Sequence, residues 1–459
     1  MMTERRDDHQ ICQQAGGKDR RRILWRAGFV VGRTLVGLEV QQVMALREYL
    51  ENRQKSLSDR IAVMGEGQGG MTALFAGAVD EHFAAVGCFD YFQQREGSSE
   101  EPVDRVLYGQ LNEFGDAELA ALIAPRPLLI IAKQGGTVPL SSVQAESTRA
   151  RRFYKGLGAD SKLVSLSFPE NVCREGALRL ARIIKATQEK QNVGNLPHFP
   201  STQVEEASNQ NFEAVFEYLR KLDLGSEQVR ENYWQLASTP PQDRLPKTQK
   251  IRQELAGLVG EVAVDAVPLH ARTSLLDENQ QFLTYEVLLD LAPGLEVYGH
   301  LLVPRKVAGE TGQRLPAVIC QHGFDGSPKY ISGVGDDLET ADHFYHRYGA
   351  RLASRGYVVF APYLTVPEDH TPPIIVRRAD LVNPLVRLAA PLGLMRTSME
   401  LAKLHRVVDF VQSLSFVDPE RIGYYGLSYG GYSAIWMAPL EPRLRRPASF
   451  PPLTIGRRC

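Results

Sequence analysis

Arg421-Ile422-Gly423-Tyr424-Tyr425-Gly426-Leu427-Ser428-Tyr429-Gly430-Gly431 is the stretch on which the fold turns. Arg421 to Tyr425 reads as a short buried strand, and Tyr432 to Ala438 as the start of a helix. Strand, G-x-S-x-G, helix is the context that makes such a motif a nucleophile elbow. A turn this sharp leaves no room for a side chain at Gly426 or Gly430, and Gly431 continues the tight approach. It lifts the Ser428 hydroxyl above the sheet edge and turns the backbone N–H of Tyr429 toward a developing oxyanion. The competing reading is a glycine-rich turn with an incidental serine.

An elbow serine needs a histidine as base and a carboxylate to orient it, and in this arrangement both come later in the chain. Here no histidine follows Ser428. The acid and the base are therefore unassigned.

Outward from the elbow, strands alternate with helices, which predicts parallel βαβ units. Toward the N-terminus these are strands at 61–64, 84–88, 127–131 and 162–168, with helices at 71–79, 142–157 and 175–190 and one opening near Thr34. Toward the elbow, 282–291 and 295–303 alternate around Pro293-Gly294 as a hairpin. Leu315 to Cys320 is a buried strand that runs into Gln321-His322-Gly323-Phe324. A helix at 343–355, a strand at 357–361 and a helix at 397–414 lead to Asp418-Pro419-Glu420 and the elbow strand. The basic cluster Lys18 to Arg22 reads as part of a solvated lead-in, residues 1–28, and the Pro/Arg-rich 441–459 as a tail. Residues 192–210 read as a polar linker.

Arg60-Ile61, Gly65 and Gly69-Gly70 repeat the register of Arg421-Ile422, Gly426 and Gly430-Gly431, with Gly67 where Ser428 stands. This predicts a second elbow that keeps its shape and has no nucleophile. Gly65, Gly67 and Gly70 also fit G-x-G-x-x-G, with Asp90 placed as a ribose-binding acid, so dinucleotide binding is the competing reading.

A net charge of −1, 43% hydrophobic and 23% charged residues describe an ordinary globular chain with no global pull toward nucleic acid. Five scattered cysteines without C-x-x-C spacing suggest neither a disulfide framework nor a metal site. No signal peptide or membrane span is read, so the expected location is cytoplasmic. No cofactor is expected.

These residues resemble the α/β-hydrolase superfamily, in particular dienelactone-hydrolase and acetylxylan-esterase-like members with tandem modules. The resemblance is carried by Leu315 to Phe324 with His322-Gly323, the helix from Thr397, Asp418 to Gly423, and Gly426 to Gly431. It implies a mostly parallel sheet flanked by helices. It also implies an oxyanion hole from the backbone of Tyr429 and Phe324, with His322 structural, and a small-molecule ester as substrate. Residues 29–191 resemble only the later half of such a module, and 211–440 its earlier half. The acid loop would be Ala132 to Thr137 and the histidine loop Phe168 to Cys173, yet neither holds the required residue. The expectation is a serine ester hydrolase of weak activity; the alternatives are a noncatalytic pseudohydrolase and a truncated or frame-shifted remnant. His343, His346 and His370 are the candidates for an unrecognised base. The edge at Ile422 to Tyr425 is expected either to pair with the strands of 61–168 in one shared sheet or to stay in a separate half-domain.

Overall fold

The computed structural model describes residues 17–57, 60–96, 101–169, 172–184, 201–260, 262, 267–305, 314–323, 326–335, 338–363 and 387–450. It divides after Ser238 into two compact units.

The first unit begins with helices α1 (Gly17–Val30) and α2 (Leu35–Arg53), the second capped by the Thr34 hydroxyl, which accepts from the Gly37 N–H. Then follow β1 (Ala62–Glu66), α3 (Gln68–Val79), β2 (Ala85–Phe89), α4 (Asp116–Ile123), β3 (Leu128–Lys133), α5 (Leu140–Gly156), β4 (Leu163–Phe168), α6 (Val172–Ile183) and α7 (Ser201–Trp234). The strands form a four-stranded parallel sheet in the order β1-β2-β3-β4. β2 is buried throughout and β3 along all but its last residue, as expected for parallel strands covered on both faces. The sequence of α3 is apolar on every side for the same reason: Gly70 to Ala78 are all buried.

The second unit opens with α8 (Pro241–Val259) and the antiparallel strands β5 (Arg272–Glu278), β6 (Phe282–Ala292) and β7 (Leu295–Pro304). β8 (Leu315–Gln321), α9 (Pro328–Ser332), α10 (Leu338–Phe344), α11 (Tyr348–Ala353) and β9 (Val358–Pro362) come next. α12 (Arg396–Ser413), β10 (Val417–Leu427), α13 (Tyr429–Leu440) and β11 (Arg446–Phe450) complete it. The sheet order is β11-β10-β8-β9-β7-β6-β5, parallel from β9 through β11. Its core joins Val287, Leu289, Ile319, Phe360, Val407, Ile422 and Tyr424. No single helix among the described residues is long and apolar enough to cross a membrane.

Several expectations are corrected. Within 1–28, residues 17–28 belong to α1, not to a poorly ordered lead-in. Leu24 is buried against Leu35, Phe212 and Leu219, and Arg21 is paired with Glu39 and Asp104. The basic run looked like a solvated tail because its carboxylate partners lie far along the chain. The polar stretch 192–210 is helical from Ser201 onward, and α7 packs in the first unit through Phe212 and Leu219. The division therefore falls after Ser238 rather than within 192–210. The helix expected at 343–355 is broken at 345–347. β5 had no sequence prediction, since most of its side chains are exposed and its pattern is weak.

The tail is corrected too. Arg446–Phe450 is a strand paired in parallel with β10. Its own sequence contains Pro447 and little β-propensity, so pairing with a neighbour decides its conformation, as an outermost strand allows. β10 is consequently flanked by β8 and β11, both of its own unit, and the shared sheet does not form.

Candidate active site

Ser428 lies between β10 and α13, at φ 54° and ψ −114°. A side chain rarely adopts this left-handed region, so the serine is held there by its surroundings. Gly426 makes the turn possible: a Cβ there would collide with the backbone of Gly430. A Cβ on Gly430 would collide with the carbonyl of Gln321, at the end of β8. Gly431 is buried in the first turn of α13. The buried phenol of Tyr424 donates to the Gly430 carbonyl at 3.2 Å. Tyr429 is the first residue of α13, so its N–H is among those with no acceptor inside the helix.

The end of β8 closes on the same point. A methyl placed on Gly323 would lie 3.1 Å from the Ser428 Cβ. His322 is fully buried, its Nδ1 2.6 Å from the Gly323 carbonyl, and its Nε2 has no hydrogen-bond partner among the described residues. Burial pushes its pKa down to about 4, so the ring is neutral at pH 7. Phe324 lies outside the described residues.

Beneath the turn, α12 presents Arg396, Glu400 and Lys403. Arg396 stacks its guanidinium 4.4 Å over the Tyr429 ring and donates to its hydroxyl at 3.2 Å. Tyr429 is largely buried, which pushes its phenol pKa up to about 12. Lys403 is buried 3.9 Å from Glu400 and donates to the Tyr363 carbonyl; burial lowers its pKa.

No described histidine is hydrogen-bonded to Ser428. His405 pairs with Glu441 at 3.3 Å, an imidazole–carboxylate couple, but Glu441 caps the far end of α13. Twelve residues at 1.5 Å each put that pair about 18 Å from the serine. His300 sits between Ser332 (2.9 Å) and Tyr298 (3.1 Å) on β7. β7 is three strand spacings from β10, or about 14 Å. His82 pairs with Asp80 and His270 with Asp290. His343 packs on Phe344 and is exposed, as is His346. His370 lies outside the described residues.

The turn at Gly67 has the geometry of the turn at Ser428. Gly67 has φ 55° and ψ −116°, and a Cβ on Gly65 would collide with Gly69 as one on Gly426 would with Gly430. Equivalent residues keep one constant offset through the next strand: Ala62 pairs with Ala85 and Glu66 with Phe89, as Gly423 pairs with Arg446 and Leu427 with Phe450. α3 and α13 have the same length, and each is capped by a buried acid, Asp80 or Glu441. Each acid bonds the residue two further on and a side chain of the preceding helix, Arg47 on α2 or His405 on α12. One difference stands out. Nothing lies within 4 Å of a Cβ on Gly69, because no described strand fills beside β1 the place that β8 fills beside β10.

Sequence reasoning missed Tyr345, Tyr348, Arg396 and Lys403. Tyr345 accepts from the Gly323 N–H, and Tyr348 donates to the Gln321 carbonyl. No spacing rule marks them, since they reach the site from other elements.

No protein-family model matches the chain. It is 29% identical over 195 residues to "Putative hydrolase YtaP" of Bacillus subtilis (strain 168), covering 42% of this chain and 60% of that protein. Among solved structures it is similar to an acetyl xylan esterase from Paenibacillus sp. R4 (TM-score 0.28, 22% identity, 42% of this chain and 62% of that one). It is also similar to a glucuronoyl esterase from Solibacter usitatus (TM-score 0.31, 15% identity, 43% of this chain and 56% of that one). The chain thus spans less than two thirds of the curated relative that it matches. With β10 passing through a tight glycine turn into α13, and parallel strands on either side, the chain is an α/β protein in two compact units, one built on a parallel sheet and one on a mixed sheet.

Proposed function

We propose that this chain acts on small carboxylic esters through Ser428, by acyl transfer. The observation that carries the reading is the position of Ser428: a left-handed serine at a strand–helix turn, with Gly323 packed against its Cβ. In this reading the Ser428 Oγ attacks the ester carbonyl and its proton passes to solvent or to a base outside the described residues. The oxyanion is held by the N–H of Tyr429, at the positive end of α13, and by the backbone after Gly323, where Phe324 follows. Collapse releases the alcohol and leaves an acyl ester on Ser428, which water then cleaves.

Turnover is weak in this reading, because no described histidine is hydrogen-bonded to Ser428. An elbow serine without its base loses several orders of magnitude in rate but keeps a residue of catalysis from the oxyanion hole. Hydrolysis of p-nitrophenyl acetate tests it: slow turnover that disappears in Ser428→Ala supports the reading, and equal rates in the two proteins refute it. A noncatalytic pseudohydrolase is the second reading, supported by the same histidine positions. Dinucleotide binding at Gly65–Gly70 has less support. The Asp90 carboxylate is packed against Gly136 and accepts from Thr137 at 3.4 Å, so it is turned toward the loop after β3.

A further inference from the structure

Between α10 and α11 the chain makes a turn that L side chains avoid. His346 and Arg347 are consecutive residues with positive φ, 49° and 44°, and neither is glycine. The Tyr348 N–H donates to the Tyr345 carbonyl at 3.1 Å, so these two residues are the centre of a type I′-like turn. Asparagine, aspartate and glycine are the usual occupants of such a centre. Here the turn is held from outside: Arg347 makes a two-pronged ion pair with Asp342, at 2.6 and 2.8 Å, and its side chain packs on Gly333.

The turn sets Tyr345 and Tyr348 side by side, with ring centroids 6.4 Å apart. Both hydroxyls reach the end of β8. The Gly323 N–H donates to the Tyr345 oxygen at 3.3 Å, and the Tyr348 hydroxyl donates to the Gln321 carbonyl at 2.8 Å. The Tyr345 oxygen is wedged between Gly323 and Gly326, and the Gly326 N–H donates back to the Gly323 carbonyl at 3.2 Å. Tyr345 stacks on Tyr330, and Tyr348 meets the ring of Tyr425 on β10 at 4.8 Å. Strain kept at one place, and used to aim two side chains at one short backbone segment, points to a role for that segment.

We propose that Tyr345 and Tyr348 are positioning residues that fix the Gln321–Gly323 backbone against Ser428. This rests on the reading of Ser428 as nucleophile. Neither tyrosine touches the reacting atoms; both act through Gly323.

The test uses the full chain and an alkyl fluorophosphonate, whose phosphonyl oxygen takes up negative charge where the ester oxyanion would as the serine oxygen bonds phosphorus and fluoride leaves. Inactivation is measured at several probe concentrations for wild type, Tyr345→Phe and Tyr348→Phe, with thermal midpoints alongside. The expected result is a maximal inactivation rate about tenfold lower in Tyr345→Phe, with half-saturating probe concentration and thermal midpoint unchanged. Tyr348→Phe is expected to show a smaller fall of the same kind. Unchanged rates in both variants overturn the inference and leave the nucleophile intact. A fall in rate that tracks a fall in thermal midpoint also overturns it, since the tyrosines would then be ordinary packing. Failure of wild type to react at Ser428 removes the reading of Ser428 itself, and the inference with it.

Discussion

Ser428 and Gly67 occupy the same backbone conformation, φ 54° and ψ −114° against φ 55° and ψ −116°. Glycine enters that region freely, whereas serine is strained there. Two turns of one shape therefore differ in cost, and the costlier one holds the hydroxyl. The first prediction follows from this cost. Ser428→Gly should stabilise the second unit, and Gly67→Ser should destabilise the first, each by about 1 kcal/mol. Gly67→Ser should fold all the same, because nothing lies within 4 Å of the added Cβ. Urea denaturation of the two variants checks the signs.

A second prediction concerns the glycines two residues after each turn. A Cβ on Gly430 meets the Gln321 carbonyl, while one on Gly69 meets nothing within 4 Å. Gly430→Ala should cost about 3 kcal/mol or more, as overpacking against a backbone does. Gly69→Ala, in the first turn of α3, should be neutral or stabilising by up to about 1 kcal/mol. Equal losses in the two would mean that a strand does lie beside β1.

A third prediction concerns acid. Burial alone would raise the Glu441 pKa, but hydrogen bonds from Arg443 and His405 outweigh it and hold the carboxyl at about 2, against an ordinary 4.5. A depressed folded-state pKa contributes stability that is present above pH 4.5 and is lost as pH falls toward 2. The urea midpoint of the second unit should therefore drop across that window. Glu441→Gln should be less stable at pH 7 and should flatten that part of the profile. A parallel drop in wild type and variant would show that other carboxylates dominate.

The strand–turn–helix, the hairpin at Pro293-Gly294 and the helix before β10 were legible because glycine, proline and apolar periodicity act locally. Gly65 and Gly426 were readable as a matched pair because a close backbone approach requires glycine at both. β11 was not legible: Arg446 to Phe450 has almost no strand character of its own and takes its form from β10. α1 was hidden because Arg21 finds Asp104 more than eighty positions away. Ser428 and Gly323 were singled out from sequence as neighbours of one turn, and Gly323 lies beside the Ser428 Cβ. Tyr345 could not be named, since its role depends on a left-handed turn at His346 and Arg347 that no residue preference announces.

The most direct test of the central claim is reaction of the intact chain with a fluorophosphonate, followed by mass mapping of the adduct. The account predicts one adduct per chain, on the peptide containing Ser428, and none in Ser428→Ala. An unlabelled wild type, or equal labelling of the Ser428→Ala protein, would contradict it.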